Sequence, residues 1–227
     1  MNDSMETIAE LKSVTKRFRD GEETRTILDG VNLSAQRGSL TCISRPSGCG
    51  KTTLLSIMGC LLSPSQGKVI FQGKEISESP ENERAQIRKS GIGFVFQEVV
   101  LFEWMRVWEN VAVPLALSGA AAGAPARASE LLDELGLHDR IDSRPGALSF
   151  GERKRVALAR TLISGAPLIL ADEPTGGLDR KTGKIVFASL EKACGENGAA
   201  VVFATHDDYF ARKAAHRFEL SDGKLIG

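Results

Sequence analysis

The chain of 227 residues is long enough for one large domain, or a core with an inserted subdomain, and can bury a sizeable apolar interior without covalent crosslinks. Lysine plus arginine and aspartate plus glutamate both number 29, so no overall field draws the chain onto nucleic acid or an anionic bilayer. The four cysteines form no CxxC pair and have no histidines at metal-ligand spacing, which argues against a disulfide framework or structural zinc and for a reducing compartment. The first residues, Met1 to Glu6, are polar and acidic, unlike a secretory signal. No apolar run reaches the roughly 18 to 20 residues that cross a bilayer, so a membrane span is expected from another chain.

Ile8 to Val14 and Ile27 to Leu33 read as strands of an antiparallel edge, with Asp20-Gly21 turning between them. Leu40 to Ile43 is a short β-rich run that enters a turn bearing glycine and proline, and Thr52 to Met58 follows it: strand, loop, helix. Lys68 to Phe71 is a further strand closed by Gln72-Gly73, and Gly93 to Phe96 another, ending at Gln97. Beyond Glu98 the character changes. Trp108 to Leu117 and Arg127 to Leu135 carry helical apolar spacing, separated by the Ala/Gly/Pro stretch Gly119 to Pro125. This predicts a helical insertion over 98–162, between core segments 1–97 and 163–227. Pro167 to Ala171 and Ala200 to Ala204 are continuous apolar runs that suit parallel strands covered on both faces, with Thr182 to Ala193 as the crossover helix. The expected class is α/β, a mostly parallel sheet flanked by helices, with an antiparallel β edge and an inserted helical subdomain.

Chemistry gathers where strands end. A strand-to-helix turn through Arg45, Pro46, Ser47, Gly48, Cys49, Gly50, Lys51, Thr52 and Thr53 suits a triphosphate: unpaired amides at the helix start point at phosphate oxygens, and Lys51 adds a point charge. Thr52 is placed to put its hydroxyl on a magnesium ion, and Gly48 and Gly50 let the backbone approach without a β-carbon collision. Leu168 to Glu173 is an apolar strand ending in two carboxylates, where parallel sheets bind ligands. Asp172 suits magnesium through water, and Glu173 suits the water that attacks a terminal phosphate. His206 follows a second such strand and can contact the γ-phosphate or that water. Gln97 can reach the metal and the water, although a plain surface glutamine explains it equally well. His138 and His216 fall in helical or surface contexts and take no role.

These pieces stand in the order of the ATP-binding-cassette (ABC) family, a branch of the P-loop NTPases, and the resemblance covers nearly the whole chain. Ser44 to Thr53 resembles its Walker A, Gln97 its Q-loop, Leu148-Ser149-Phe150-Gly151-Glu152 its signature, Leu168 to Glu173 its Walker B, Gly177-Leu178-Asp179 its D-loop, and His206 its switch histidine. Phe18 stands where the family stacks an aromatic ring on adenine; a core phenylalanine is the other reading. The run Ala171 to Gly176, Arg144-Pro145 and Glu109-Asn110-Val111 are similar to the branch serving lipoprotein release, macrolide export and the division-associated transporter.

The resemblance implies an ATPase using ATP and Mg2+, with Glu173, His206 and Gln97 as catalytic groups and Thr52, Gln97 and Asp172 about the metal. It implies a sandwich dimer, read here as a homodimer, in which the signature serves the neighbour's nucleotide. Val99 to Trp108 stands where the family receives a membrane-spanning permease, which places the chain on the inner face of the cell membrane. Nucleic acid is not among the expected partners. Two departures leave an alternative, a catalytically weakened nucleotide-binding or scaffolding cassette that needs a competent partner. Arg45 replaces the first glycine of the strict phosphate-loop pattern, where positive φ would strain it, and Phe150 replaces the first signature glycine. A cassette of translation or repair would carry two fused cassettes or a long coiled-coil insertion, and neither occurs in this sequence.

Overall fold

In the computed structural model, which describes residues 6–21, 23–44 and 48–227, the apolar runs become the centre of a six-stranded sheet. Its parallel members are β3 (Leu40–Ser44), β6 (Ile92–Val95), β7 (Leu168–Asp172), β8 (Ala200–Thr205) and β9 (His216–Ser221), with β10 (Lys224–Ile226) antiparallel at one edge. The order is β10-β9-β3-β8-β7-β6, so β8 lies between the strand that feeds the phosphate loop and the strand that ends in Asp172.

Every residue of β7 and β8 is buried, and the pleat divides them between two cores. Ile169, Ala171, Val201 and Phe203 face one cluster, while Leu168, Leu170, Ala200, Val202 and Ala204 face the other. The first cluster is closed by α3 (Val107–Ser118), α4 (Ala124–Glu134), α5 (Phe150–Leu162) and α6 (Arg180–Gly195). The second is closed by α1 (Lys51–Met58) and by a four-stranded sheet ordered β2-β1-β4-β5, made of β1 (Thr7–Asp20), β2 (Glu23–Gln36), β4 (Gln66–Phe71) and β5 (Lys74–Glu75). A sheet with apolar contacts on both faces has no solvated side to alternate, which is why these runs read as unbroken hydrophobic stretches.

The antiparallel β edge is present as a sheet of its own. The structure departs from the sequence expectations in two places. β1 and β2 run for 14 residues each because the hairpin continues through exposed polar residues, which carry no hydrophobic alternation to read. Helix α2 (Glu81–Gly91) buries only Gly91, so it too lacked an apolar stripe. His216 is exposed at the start of β9, in keeping with the surface context expected of it. A short helix α7 (Asp208–Ala211) joins β8 to that strand.

Candidate nucleotide site

The carboxyl ends of β3, β6, β7 and β8 all open on one side of the sheet, and a cleft of about 420 Å³ lies there. Phe18, Gly48, Gly50, Lys51, Thr52, Thr53, Gln97, Asp172 and Glu173 line it, as do Arg25 and Ile27. Arg45, Pro46 and Ser47 lie outside the described residues. Cys49 is part of the loop but does not line the cleft.

Helix α1 starts directly on the cleft. Gly50 is its N-cap, with φ of 104°, and a Cβ there would stand 2.9 Å from Ile27 Cγ2, so glycine is required on both counts. No side chain caps this helix and no acidic residue occupies its first turn. The positive end of its dipole therefore faces the cleft uncompensated by a first-turn carboxylate, which favours an anion there.

Lys51, Asp172 and Glu173 are all buried. The Thr52 hydroxyl donates to Asp172 Oδ2, and burial raises the Asp172 carboxyl above the usual aspartate range against the lowering effect of that bond. Glu173 follows Asp172 beyond the end of β7 with φ of 47°, a costly conformation for a residue with a Cβ. Its N–H donates to the Ala204 carbonyl at 3.0 Å, and its own carbonyl accepts from Gly176 N–H at 3.0 Å and Lys154 Nζ at 2.9 Å. The carboxylate faces the cleft. Oε1 stands 3.0 Å from His206 Nδ1 and 3.9 Å from Lys51 Nζ, yet receives no well-directed hydrogen bond, while Oε2 accepts from Thr205 Oγ1 at 3.4 Å. A buried carboxylate oxygen without a directed donor is suited to accept from a molecule that enters the cleft.

The other expected residues are placed as follows. His206 is exposed and reaches the site through Glu173 rather than by lining the cleft. Phe18 is 42% exposed, with Lys16 Nζ 5.0 Å from its ring centroid, so it is a cleft wall and not a core phenylalanine. Gln97 is exposed two residues beyond β6. Leu148 is a buried member of the core cluster, and the rest of the signature stretch stands outside the cleft lining. Ser149 caps α5: its Oγ accepts from Glu152 N–H at 3.3 Å while Glu152 Oε2 accepts from Ser149 N–H at 2.7 Å. Those bonds, with desolvation opposing them, hold the Glu152 carboxyl below the usual range. Phe150 packs over Gly177, where a Cβ would lie 2.9 Å from the ring. Asp179 caps α6, accepting from Lys181 N–H, Thr182 N–H and Thr182 Oγ1 at 2.9, 3.0 and 2.6 Å, which lowers its carboxyl pKa.

Three residues escaped the sequence reading. Arg25 pairs directly with Phe18 across the hairpin, a register that a pattern of exposed polar residues does not reveal. Thr205 and Lys154 are buried polar groups that pattern alone passes over, the first ending an apolar strand and the second hidden in the charged run Glu152 to Arg155. Lys154 is desolvated enough that burial lowers its pKa.

The tryptophans part company. Trp104 is 70% exposed and Val100 68%, whereas Trp108 packs against the core. The buried Asn110 fixes the loop between them: its amide nitrogen donates to the carbonyls of Phe102, Met105 and Arg106, and its oxygen accepts from Phe102 N–H at 2.8 Å.

A parallel sheet whose central strand feeds a glycine-gated helix start, with an acid pair on a nearby strand, defines a P-loop nucleotide-binding domain of the cassette type. The ABC transporter family profile matches residues 28–176, and the chain belongs to that family. It is 42% identical over 217 residues to the lipoprotein-releasing system ATP-binding protein LolD of Gluconobacter oxydans, covering 95% of this chain and 94% of that one. It is 41% identical over 223 residues to the macrolide export ATP-binding/permease protein MacB of Photorhabdus laumondii, where 98% of this chain covers 34% of the relative; the chain thus spans about a third of such proteins. Among solved structures, the ATP-binding cassette MJ0796 in a dimeric post-hydrolysis state bound to ADP and Pi superposes with a TM-score of 0.91 at 37% identity, over 97% of each chain.

Proposed function

We propose that the chain is the ATP-binding and hydrolysing subunit of an ABC transporter of the lipoprotein-release and macrolide-export branch, working as a homodimer beneath a membrane-spanning permease. In this reading residues 98–162 are a helical subdomain set into the core, and the exposed Val100 and Trp104 face the permease on the inner side of the membrane. No described helix is long and apolar enough to cross a membrane itself.

The observation that carries the proposal is the buried Glu173 carboxylate, held within reach of Lys51 and His206 in the cleft that α1 opens upon. Lys51 and the leading amides of α1 bind the β- and γ-phosphates, and Phe18 offers its ring to the base. The donors present fit Mg2+: the Thr52 hydroxyl, the Asp172 carboxylate and the Gln97 amide oxygen are all hard oxygen ligands. Among the described residues no group of three or more His, Cys, Asp and Glu side chains could hold a metal alone, as expected for an ion bound mainly through substrate phosphates. When bound, the ion neutralises charge on the phosphate oxygens.

Glu173 Oε1 accepts the proton of a water whose oxygen bonds to the γ-phosphorus as the bond to the bridging oxygen breaks, leaving ADP and phosphate. Thr205 and His206 hold that carboxylate in place. Signature residues 148–152 act on the nucleotide of the second cassette. Glu173→Gln is expected to lower steady-state hydrolysis by about 10² to 10⁴ while ATP binding and an ATP-stabilised dimer remain. Unchanged turnover in this variant removes Glu173 from the role.

A further inference from the structure

Lys154 lies on α5, just beyond the first turn, and is 5% exposed. The Glu173 and Asp172 carboxylates act on its ammonium through space, but both of its hydrogen bonds go to backbone carbonyls, Glu173 at 2.9 Å and Gly176 at 2.7 Å. The Phe150 ring, its centroid 5.5 Å from Nζ, covers a further side of the ammonium. These contacts converge on the turn that carries Glu173 in its left-handed conformation.

We propose that Lys154 is a positioning residue for ATP hydrolysis: by tying α5 to the Glu173 carbonyl it sets the angle at which that carboxylate meets the attacking water. The inference rests on the assignment of Glu173 as the base. The geometry supports it on two sides. The Glu173 N–H is fixed by Ala204, so the peptide on the carbonyl side is what remains to set the left-handed bend, and Gly176 and Lys154 are the donors that hold it. The same lysine belongs to the helix that begins at Ser149, so any shift of that helix start against a neighbouring cassette is passed to the Glu173 backbone without crossing the apolar core. Phe150 acquires a purpose as well, since its ring fills the space between the ammonium and Gly177.

Lys154→Met keeps the stem and removes the donors. In the full chain with Mg-ATP, turnover per bound nucleotide is expected to fall about tenfold with KM for ATP changed less than about twofold, as loss of an interaction specific to the transition state requires. Lys154→Gln, whose amide can still donate to one carbonyl, should recover part of the rate. Wild-type turnover per bound nucleotide in Lys154→Met overturns the proposal, and so does a parallel loss of bound nucleotide and turnover, which marks a merely structural lysine. Should the methionine variant fail to fold, Lys154→Gln decides by the same ratio: a several-fold reduction supports positioning, and a wild-type value overturns it. Glu173→Gln run alongside separates the two levels, because its full activity would dismiss the base assignment itself, whereas an inactive Glu173→Gln beside an unaffected Lys154→Met dismisses only the lysine.

Discussion

Two helix starts carry the proposed phosphate chemistry, and the chain treats them oppositely. Helix α1 begins uncapped, with no acid in its first turn, inside a cleft lined by a buried lysine. Helix α5 begins with a complete capping box, a glutamate in its first turn, and Arg140 Nε donating to that glutamate at 2.9 Å. A helix start without a side-chain cap leaves its positive dipole end to a ligand, while a capping box ties up one helix amide and the cap's own N–H within the chain. In the proposed reading the first site is preorganised in one cassette, and the second is an exposed surface whose Ser149 O–H and first helix amides await an acceptor from outside. In the proposed reading this contrast fits a shared site, one half binding ATP in the single cassette and the other meeting it only when a second cassette arrives.

The largest expected effect probes the open end through its cysteine. Burial pushes the Cys42 thiol up to about 12 and the Cys60 thiol to about 11 from 9.0, so at pH 8 their thiolates are about 10³-fold and 10²-fold scarcer than an unshifted thiol would give. Cys49, half-buried between Gly48 and Gly50, should take up iodoacetamide before Cys42 and Cys60, and ATP should slow it by covering those two glycines, which line the cleft. Peptide mapping after brief labelling checks this; labelling of Cys49 that ATP leaves unchanged would break the link between the α1 start and the nucleotide. Next in size is Lys51→Ala. Loss of a charged hydrogen-bond donor to phosphate is worth about 2 to 3 kcal/mol, hence roughly 30- to 150-fold in ATP affinity by calorimetry.

Legibility in the sequence followed burial chemistry. The all-buried strands β7 and β8, and the glycines around Lys51, announced themselves because a covered parallel strand and a phosphate turn each demand a narrow set of residues. Helix α2 and the outer halves of β1 and β2 did not, since their residues are mostly solvated and are held by backbone pairing and polar side-chain contacts such as Arg88 to the Cys60 carbonyl, which leave no apolar pattern. At the site, the residues proposed from their own chemical type stand together, Glu173, Asp172 and Lys51 lining the cleft and His206 beside Glu173. Residues that act by location could not be read: Arg25 depends on hairpin register, and Lys154 on the meeting of a helix with a turn 19 residues away. The departure at Phe150, read from sequence as a lost glycine, is in the fold a ring lying over Gly177, which has φ of 72° and no room for a Cβ.

The smallest expected effect tests the closed end. Ser149→Ala removes the Oγ that accepts the Glu152 amide at 3.3 Å, and loss of such a cap costs about 1 kcal/mol, or about fivefold in the folding equilibrium. Because Ser149 lies outside the cleft, ATP affinity of the single cassette should stay within about twofold of wild type, a change below about 0.4 kcal/mol. Denaturant melts and calorimetry on the same preparation measure both numbers. An affinity loss as large as that of Lys51→Ala would mean that the α5 start already belongs to the cleft of its own chain, and the contrast between the two helix ends would collapse. A stability loss with affinity intact, followed by a failure of ATP to hold two cassettes together, would instead assign the Ser149 hydroxyl to the neighbour's nucleotide and leave the cap as its duty in the lone subunit.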